Sequence, residues 1–403
     1  MSVIAHSSIY KKSLAGGGGC LRHEQIVDLI ESAGLELDHA LASPTGGVKH
    51  LWCEAMLGCA TLCVRHPVLF WRLCGLQRNR RWASMVFQTG IRYLYWRKAL
   101  KELAASALVC EDMFWGGQGV LLAAREARCP LIALPHNVDS LPFIDTPEGD
   151  RITSLRAELE SLRRADAVFA ISGCDSWLHR QFGIESGVLP YYPAAQRRRQ
   201  LIQVRAQRER LPRQTRRVLL VGSVTNPPTR EGLLRLLVQI AQTPWPKDLV
   251  FEVVGRGTDG LQTAGLPSCL RFHGHAAEND FAKLLAECTA ALVVQHRGTG
   301  VLTRIIEFLV AGIPVVANPL ALRQWEGLEG TFCYFDWQQA RALLLSSFSM
   351  PQLPAPPESE AAAFIHSLRT LSTRNLPACK LEVAGVSRGD CTAVPAVANT
   401  HRP

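Results

Sequence analysis

"TGVLTRIIEFLVAGIPVVAN", residues 299–318, reads as a loop, a helix and a strand. Wound at about 100° per residue, Leu302, Ile305, Ile306, Leu309 and Val310 fall on one arc of a helix over 302–311. Thr303, Arg304, Glu307 and Ala311 fall on the other. Gly312 stops the helix and Pro314 opens the next strand. Gly298 and Gly300 precede it, so the backbone there can turn tightly and approach a ligand. A helix N-terminus offers unpaired N–H groups and the positive end of a dipole, a natural seat for phosphate. Arg304 in the first turn opposes that dipole, which makes sense if a diphosphate lies between them. Glu307, one turn deeper, is placed to accept hydrogen bonds from two neighbouring ribose hydroxyls. The alternative is an ordinary surface pair at i,i+3, worth a few tenths of a kcal/mol.

Working outward, the same alternation repeats on both sides. Upstream, "SVIAHSSIY", "SALVCED", "PLIALPHN" and "DAVFAIS" read as strands. The helical stretches "RHEQIVDLIESAGLELD", "GVLLAAREARC" and "ITSLRAELESLRRA" fall between them. A second series follows residue 217: "RVLLVGS", "LVFEVVG", "CLRFHGH" and "AALVVQH" as strands, "REGLLRLLVQIAQ" and "ENDFAKLLAECT" as helices. Apolar strands alternating with helices mean parallel sheets covered on both faces, an α/β class. The boundaries expected are an N-terminal Rossmann-like domain over 1–193, an arginine-rich connector over 194–216 and a C-terminal Rossmann-like domain over 217–348. A Pro-rich segment with one more helix and an aperiodic tail then occupies 349–403. A ligand is expected in the cleft at the carboxyl ends of the strands.

Hydrophobic residues make up 47% of the 403 and charged residues 20%, which excludes wholesale disorder. The net charge of +9 suits an anionic partner without choosing one. The 13 cysteines form no C-x-x-C pair. Several (Cys59, Cys63, Cys110, Cys174, Cys288) sit in apolar runs, as buried free thiols of a reducing compartment would. No signal-peptide order and no uncharged apolar run of about 18 residues is present. The expectation is a cytoplasmic protein, at most peripheral to the inner face of the membrane.

Other stretches carry candidate chemistry. Gly16 to Gly19 follows a strand but fails Gly-x-Gly-x-x-Gly, leaving a flexible connector or a cleft-facing loop. "GRGTDG" at 255–260 satisfies that pattern with no good helix after it, so Gly255 reads as a cleft-edge turn. Glu111 and Asp112 end a strand, as acceptor-side groups or a general base, or as solvated loop charges. Residues 65–98 interleave aromatics with arginines. They suit peripheral contact with an anionic membrane or single-stranded nucleic acid, with inward packing of the aromatics as the third reading. The arginine connector reads as a solvated linker. Neither an Asp-x-Asp motif nor a histidine cluster is visible, so no metal site is expected.

These segments, in this order, resemble GT-B glycosyltransferases, especially family 4, the glycosyl transferases group 1. The family pattern Gly-x-Gly-x-x-x-Lys-x-x-Glu, then Gly-x-Pro-Val-Val, is matched by Gly298, Gly300, Glu307, Gly312, Pro314, Val315 and Val316. Arg304 keeps the lysine's charge, and Thr299 stands where many members carry an earlier glutamate. The resemblance implies a GT-B fold, two Rossmann-like domains facing a central cleft. It places Gly17, Gly18, Gly222, Ser223, Gly255, Gly298, Thr299, Gly300, Val301, Arg304 and Glu307 at the donor, and Gly274 and His275 near the nucleobase. His136, ending the strand "LIALPHN", is implied to face the donor sugar, and His136, Arg304 and Glu307 to carry catalysis. The donor would be a nucleotide-sugar, UDP- or GDP-linked, used as substrate with no cofactor and no metal. The acceptor would be a saccharide or a lipid-linked glycan, the reaction retaining, and no nucleic acid a partner. Three alternatives stay open: an inactive donor-binding GT-B protein, a nucleotide-sugar epimerase, and a basic nucleic-acid-binding protein.

Overall fold

The computed structural model describes residues 3–10, 17–41, 48–68, 70–71, 82–114, 116–138, 140–141, 148–211, 216–261 and 266–373. The aperiodic tail lies outside the described residues.

The first half builds β1 (Val3–Ser8), α1 (Gly18–Ser32), β2 (Glu36–Leu41), α2 (Val48–Arg65), α3 (Trp82–Leu103), β3 (Ala107–Cys110), α4 (Gly117–Glu126), β4 (Leu131–Ala133), α5 (Glu148–Leu162), β5 (Ala167–Ala170), α6 (Gly173–Gln181) and β6 (Gly187–Val188). The six strands form one parallel sheet in the order β2-β1-β3-β4-β5-β6. After α7 (Ala195–Arg210) come β7 (Arg216–Val221), α8 (Pro227–Ala241), β8 (Leu249–Val254), β9 (Leu270–Gly274), α9 (Glu278–Glu287), β10 (Ala290–Val293), α10 (Thr303–Val310), β11 (Val315–Ala317), α11 (Pro319–Leu322), β12 (Thr331–Cys333), α12 (Trp337–Leu345) and α13 (Glu358–Ser372). Their sheet, also parallel, runs β12-β11-β10-β7-β8-β9. The short, wholly apolar strands are those the sequence marks, because a parallel strand is buried on both faces. β2, β6 and β12 were missed, being short or mixed sheet-edge strands that give no such run.

The structure bears on four further readings. The arginine connector is not a solvated linker but a helix, α7, whose cations enter the second lobe. Arg208 is buried and donates from Nη1 to the carbonyls of Leu285 and Cys288, 2.6 Å each, and from Nε to Gly312 at 3.1 Å. Arg205 donates to Leu309 at 3.1 Å. These are the carbonyl ends of α9 and α10, where a helix leaves acceptors unpaired and favours a cation. The aromatics of α3 largely turn inward: Tyr93 and Trp96 are fully buried, Arg92 pairs with Asp112 and Arg97 with Glu126, 3.0 Å each. Of the cysteines expected inside, Cys110 and Cys288 are buried, Cys59 and Cys63 partly so, and Cys174 is exposed. The last helix, α13, is firmly packed on the first sheet, with Phe364 edge-on to Phe169 at 5.6 Å between ring centres.

Candidate active site

In each sheet the strand order reverses beside its first strand, between β1 and β3 and between β7 and β10. Loops leaving the carboxyl ends of strands diverge at such points and open a crevice. Both candidate clusters lie there.

In the second sheet three glycine turns stand side by side. Gly222 donates to the Val254 carbonyl at 2.9 Å, and Gly255 to Gly274 at 2.7 Å. Gly255 has φ +143°, and a Cβ on it would overlap the Gly222 carbonyl, so only glycine fits. Ser223 Oγ lies 2.7 Å from Thr225 Oγ1, tightening the turn after β7. His275 is exposed at the rim beyond Gly274.

The helix of the opening stretch is α10, and its two charges do not meet. Arg304 turns back under the first turn and donates from Nη1 to the Val221 carbonyl at 2.9 Å, while its Nε is buried with no hydrogen-bond partner. No carboxylate pairs with it among the described residues, and burial lowers its pKa to about 10. Glu307 turns the other way. Its Oε1 accepts from the Tyr191 hydroxyl at 3.0 Å and from Arg197 Nε at 3.1 Å, and its Oε2 from Arg197 Nη2 at 3.1 Å. The surface-pair reading is therefore wrong. The expectation of two ribose hydroxyls on Glu307 is revised as well: three of the roughly four acceptor positions of a carboxylate are occupied, leaving room for one.

At the switch point of the first sheet, one carboxylate gathers three histidines. Glu111 Oε1 lies 2.6 Å from His6 Nε2 and 2.7 Å from His23 Nδ1, and Oε2 lies 2.6 Å from His136 Nε2. His6 comes from β1, His23 from α1, and Glu111 and His136 from the loops after β3 and β4. His23 stacks on His6, and Tyr10 on His136 at 4.7 Å. Asp112 is buried beside Glu111 but turned to Arg92, so neither acid is a solvated loop charge. Burial alone would raise the pKa of Glu111, but hydrogen bonds from His136, His23 and His6 outweigh it and hold the carboxyl well below its ordinary value. Ionised, it accepts an N–H from the His23 and His136 rings and so fixes their tautomers, while His6 Nε2 stands at close electrostatic contact. The cluster corrects the reading that no histidine cluster exists; its members are spread from residue 6 to residue 136 of the chain. The donor atoms of His6, His23 and Glu111 lie within 4.8 Å of one another, a set of metal-ligand type. Tetrahedral ligands at about 2.0–2.1 Å from an ion stand roughly 3.3 Å apart; the shorter spacing here is that of hydrogen bonds.

A depressed carboxyl stabilises the fold fully above its unfolded pKa, and that contribution is lost as the pH falls through its folded value. Glu111→Gln is therefore expected to melt lower than wild type at pH 7 and to show a flatter decline below about pH 4.5. Thermal melts across pH 3–8 check this; parallel curves for the two proteins would refute it.

The two clusters face each other. A Cβ on Gly18 would meet Thr303 Oγ1 at 3.1 Å, so the glycine loop at the start of α1 abuts the start of α10; Gly17 beside it has open space in front. Thr299 Oγ1 donates to the Val138 carbonyl at 3.4 Å, and a Cβ on Gly300 would overlap Asn137. Arg323 holds the 298–301 loop, which ends at partly buried Val301, through the carbonyls of Gly298, at 2.8 Å, and Gly300. Sequence reasoning missed His6, His23, Tyr191, Arg197 and Arg323. Only Arg197 lay in a stretch singled out for its charge, and nothing local marked the others.

Residues 215–341 match the family model described as glycosyl transferases group 1. Among solved structures, HepE of Anabaena in complex with UDP is 16% identical with a TM-score of 0.55, covering 92% of this chain and 97% of that one. The trehalose 6-phosphate synthase of Burkholderia multivorans is 13% identical with a TM-score of 0.55, covering 92% and 95%. The UDP-GlcNAc 2-epimerase of Methanocaldococcus jannaschii is 10% identical with a TM-score of 0.51, covering 92% and 100%. No curated protein sequence gives a significant match. The fold is thus GT-B, two facing Rossmann-like lobes. The second lobe carries the match to the glycosyl transferases group 1.

Proposed function

We propose that the protein moves a sugar from a UDP- or GDP-sugar to a saccharide or lipid-linked acceptor, with retention and without a metal. One observation carries this reading: the start of α10, with the carboxylate-free Arg304 behind it, abuts the glycine loop of the other lobe. Backbone N–H groups, a cation and small turns converge where a diphosphate would sit. They would stabilise the charge that develops on it as the glycosyl bond breaks. Gly222, Ser223, Gly255, Gly298, Thr299, Gly300 and Val301 would line the diphosphate and sugar, Gly274 and His275 the base, and Gly17 and Gly18 the opposite wall. His136, its ring set by Glu111, would face the transferred sugar, and Glu307 would take a single ribose hydroxyl. Asp112 is held by Arg92 and Glu111 by the three histidines, so both carboxylates act by positioning their partners rather than by touching an acceptor.

A panel of UDP-, GDP-, ADP- and CMP-sugars in a thermal-shift assay tests the donor. A ligand at about 100 times its Kd adds about 2.7 kcal/mol of stability. A rise with UDP- or GDP-sugars alone is expected; no rise with any of them refutes the reading.

The His6, His23, Glu111 and His136 cluster also favours a second reading, a nucleotide-sugar epimerase, since acid–base groups crowd the cleft. Incubation with UDP-GlcNAc and no acceptor separates the two, because only an epimerase forms a new nucleotide-sugar there.

A further inference from the structure

The three glycine turns of the second lobe form a row with a carboxylate at its far end. Gly222, Gly255 and Gly274 stand at the carboxyl ends of β7, β8 and β9, which are neighbours in the sheet. Parallel strands lie about 4.8 Å apart, so the row spans about 10 Å, room for a ribose and a base. It begins at the proposed diphosphate seat, since a Cβ on Gly222 would come within 3.6 Å of Arg304 Nη1. On the other flank of that seat, Asn318 ties the loops after β10 and β11 together. It donates to the Gln295 carbonyl at 2.7 Å and accepts from the Gln295 N–H at 3.0 Å. The glycine row, free of side chains, is the direction in which a nucleoside can extend.

Asp259 closes the row. A Cβ on Gly274 would meet Asp259 Cγ and Oδ1 at 3.2 Å each, so the carboxylate lies against the last turn. Its place is fixed by its neighbour: Thr258 is fully buried and donates from Oγ1 to the Gly255 carbonyl at 2.9 Å. Asp259 then opens a short 3₁₀ turn that ends at Leu261. Asp259 itself is exposed, and no hydrogen bond or ion pair occupies it among the described residues. An ionised carboxylate offers two acceptor oxygens and no donor. Of the common bases, guanine alone presents two N–H donors side by side, at N1 and N2, to match it. Uracil has one, set between two carbonyls that a carboxylate repels. Adenine and cytosine place their amino group beside a bare ring nitrogen. We propose that Asp259 reads the base of the donor nucleotide and selects guanine. This deepens the proposed function, on which it rests, and narrows the donor to a GDP-sugar.

Calorimetry with GDP, IDP and UDP on the full-length protein tests it. IDP keeps the N1–H of guanine and lacks the amino group. GDP should bind about tenfold tighter than IDP and about 10- to 100-fold tighter than UDP. Asp259→Ala should bring GDP to the level of IDP and leave the thermal melt unchanged, because the side chain is exposed. Asp259→Asn, with one acceptor beside one donor, should favour XDP, in which a carbonyl replaces the amino group, over GDP. Three results each overturn the inference: equal GDP and IDP affinities in wild type, tighter binding of UDP than of GDP, or an Asp259→Ala variant that keeps the GDP preference. Binding of UDP alone does so while leaving the glycosyltransferase reading intact, whereas no binding of any of these diphosphates removes both.

Discussion

Glu307→Ala is expected to destabilise the protein by about 3–5 kcal/mol, the cost of stranding a buried cation. Arg197 and Glu307 are 11% and 8% exposed at their side chains, and Tyr191 donates to the same oxygen as Arg197 Nε. Removing the carboxylate leaves a guanidinium and a phenol buried without their acceptor. It also loosens the start of the seam between α7 and α10, whose far end Arg205 still joins at the Leu309 carbonyl. Arg197→Met in the same chain should recover much of the loss, since an apolar replacement leaves no uncompensated charge. Denaturant melts of wild type, the single variant and the double variant check this. A single variant as stable as wild type would show that the pair does not hold the lobes. Nucleotide-sugar affinity of Glu307→Ala should be measured below its melting transition, so that lost folding is not read as lost binding.

Arg304→Ala is expected to weaken nucleotide-sugar binding by about 10- to 150-fold, from about 1.5–3 kcal/mol for charge-assisted hydrogen bonds. The guanidinium spends one nitrogen on the Val221 carbonyl and meets no carboxylate among the described residues. Desolvation lowers its pKa only to about 10, so it stays charged at neutral pH. A partly buried cation without a counter-ion gains most from an arriving diphosphate. Arg304→Lys keeps the charge and should retain the larger part of the affinity, losing the fork geometry. Calorimetry with the donor found by thermal shift settles it; equal dissociation constants for wild type and Arg304→Ala would remove Arg304 from the site.

How much was legible follows from the range of each interaction. The strands β1, β3, β4, β5, β7, β8 and β10 stood out because a doubly buried strand carries a short, mostly apolar run. The glycines at 222, 255, 298 and 300 were legible because close backbone approach is a property of the residue itself. Arg304 and Glu307 were found at the right helix, but their directions were not. Helical spacing makes them neighbours on one face, whereas packing sends one under the β7 turn and the other to α7. The arginines of α7 looked like a solvated run because composition cannot say which carbonyls wait for them.

The sequence alone determined the two parallel sheets, the glycine turns and the helix that opens beside them, since these depend on local periodicity and on residue shape. Only the tertiary structure decided that His6, His23 and His136 share Glu111, that Arg197 and Tyr191 claim Glu307, and that Asp259 lies against Gly274. Those outcomes come from strand order and helix docking, which bring together side chains up to 130 positions apart in the chain. No local pattern encodes such a meeting, because its free energy appears only when the chain has closed around it.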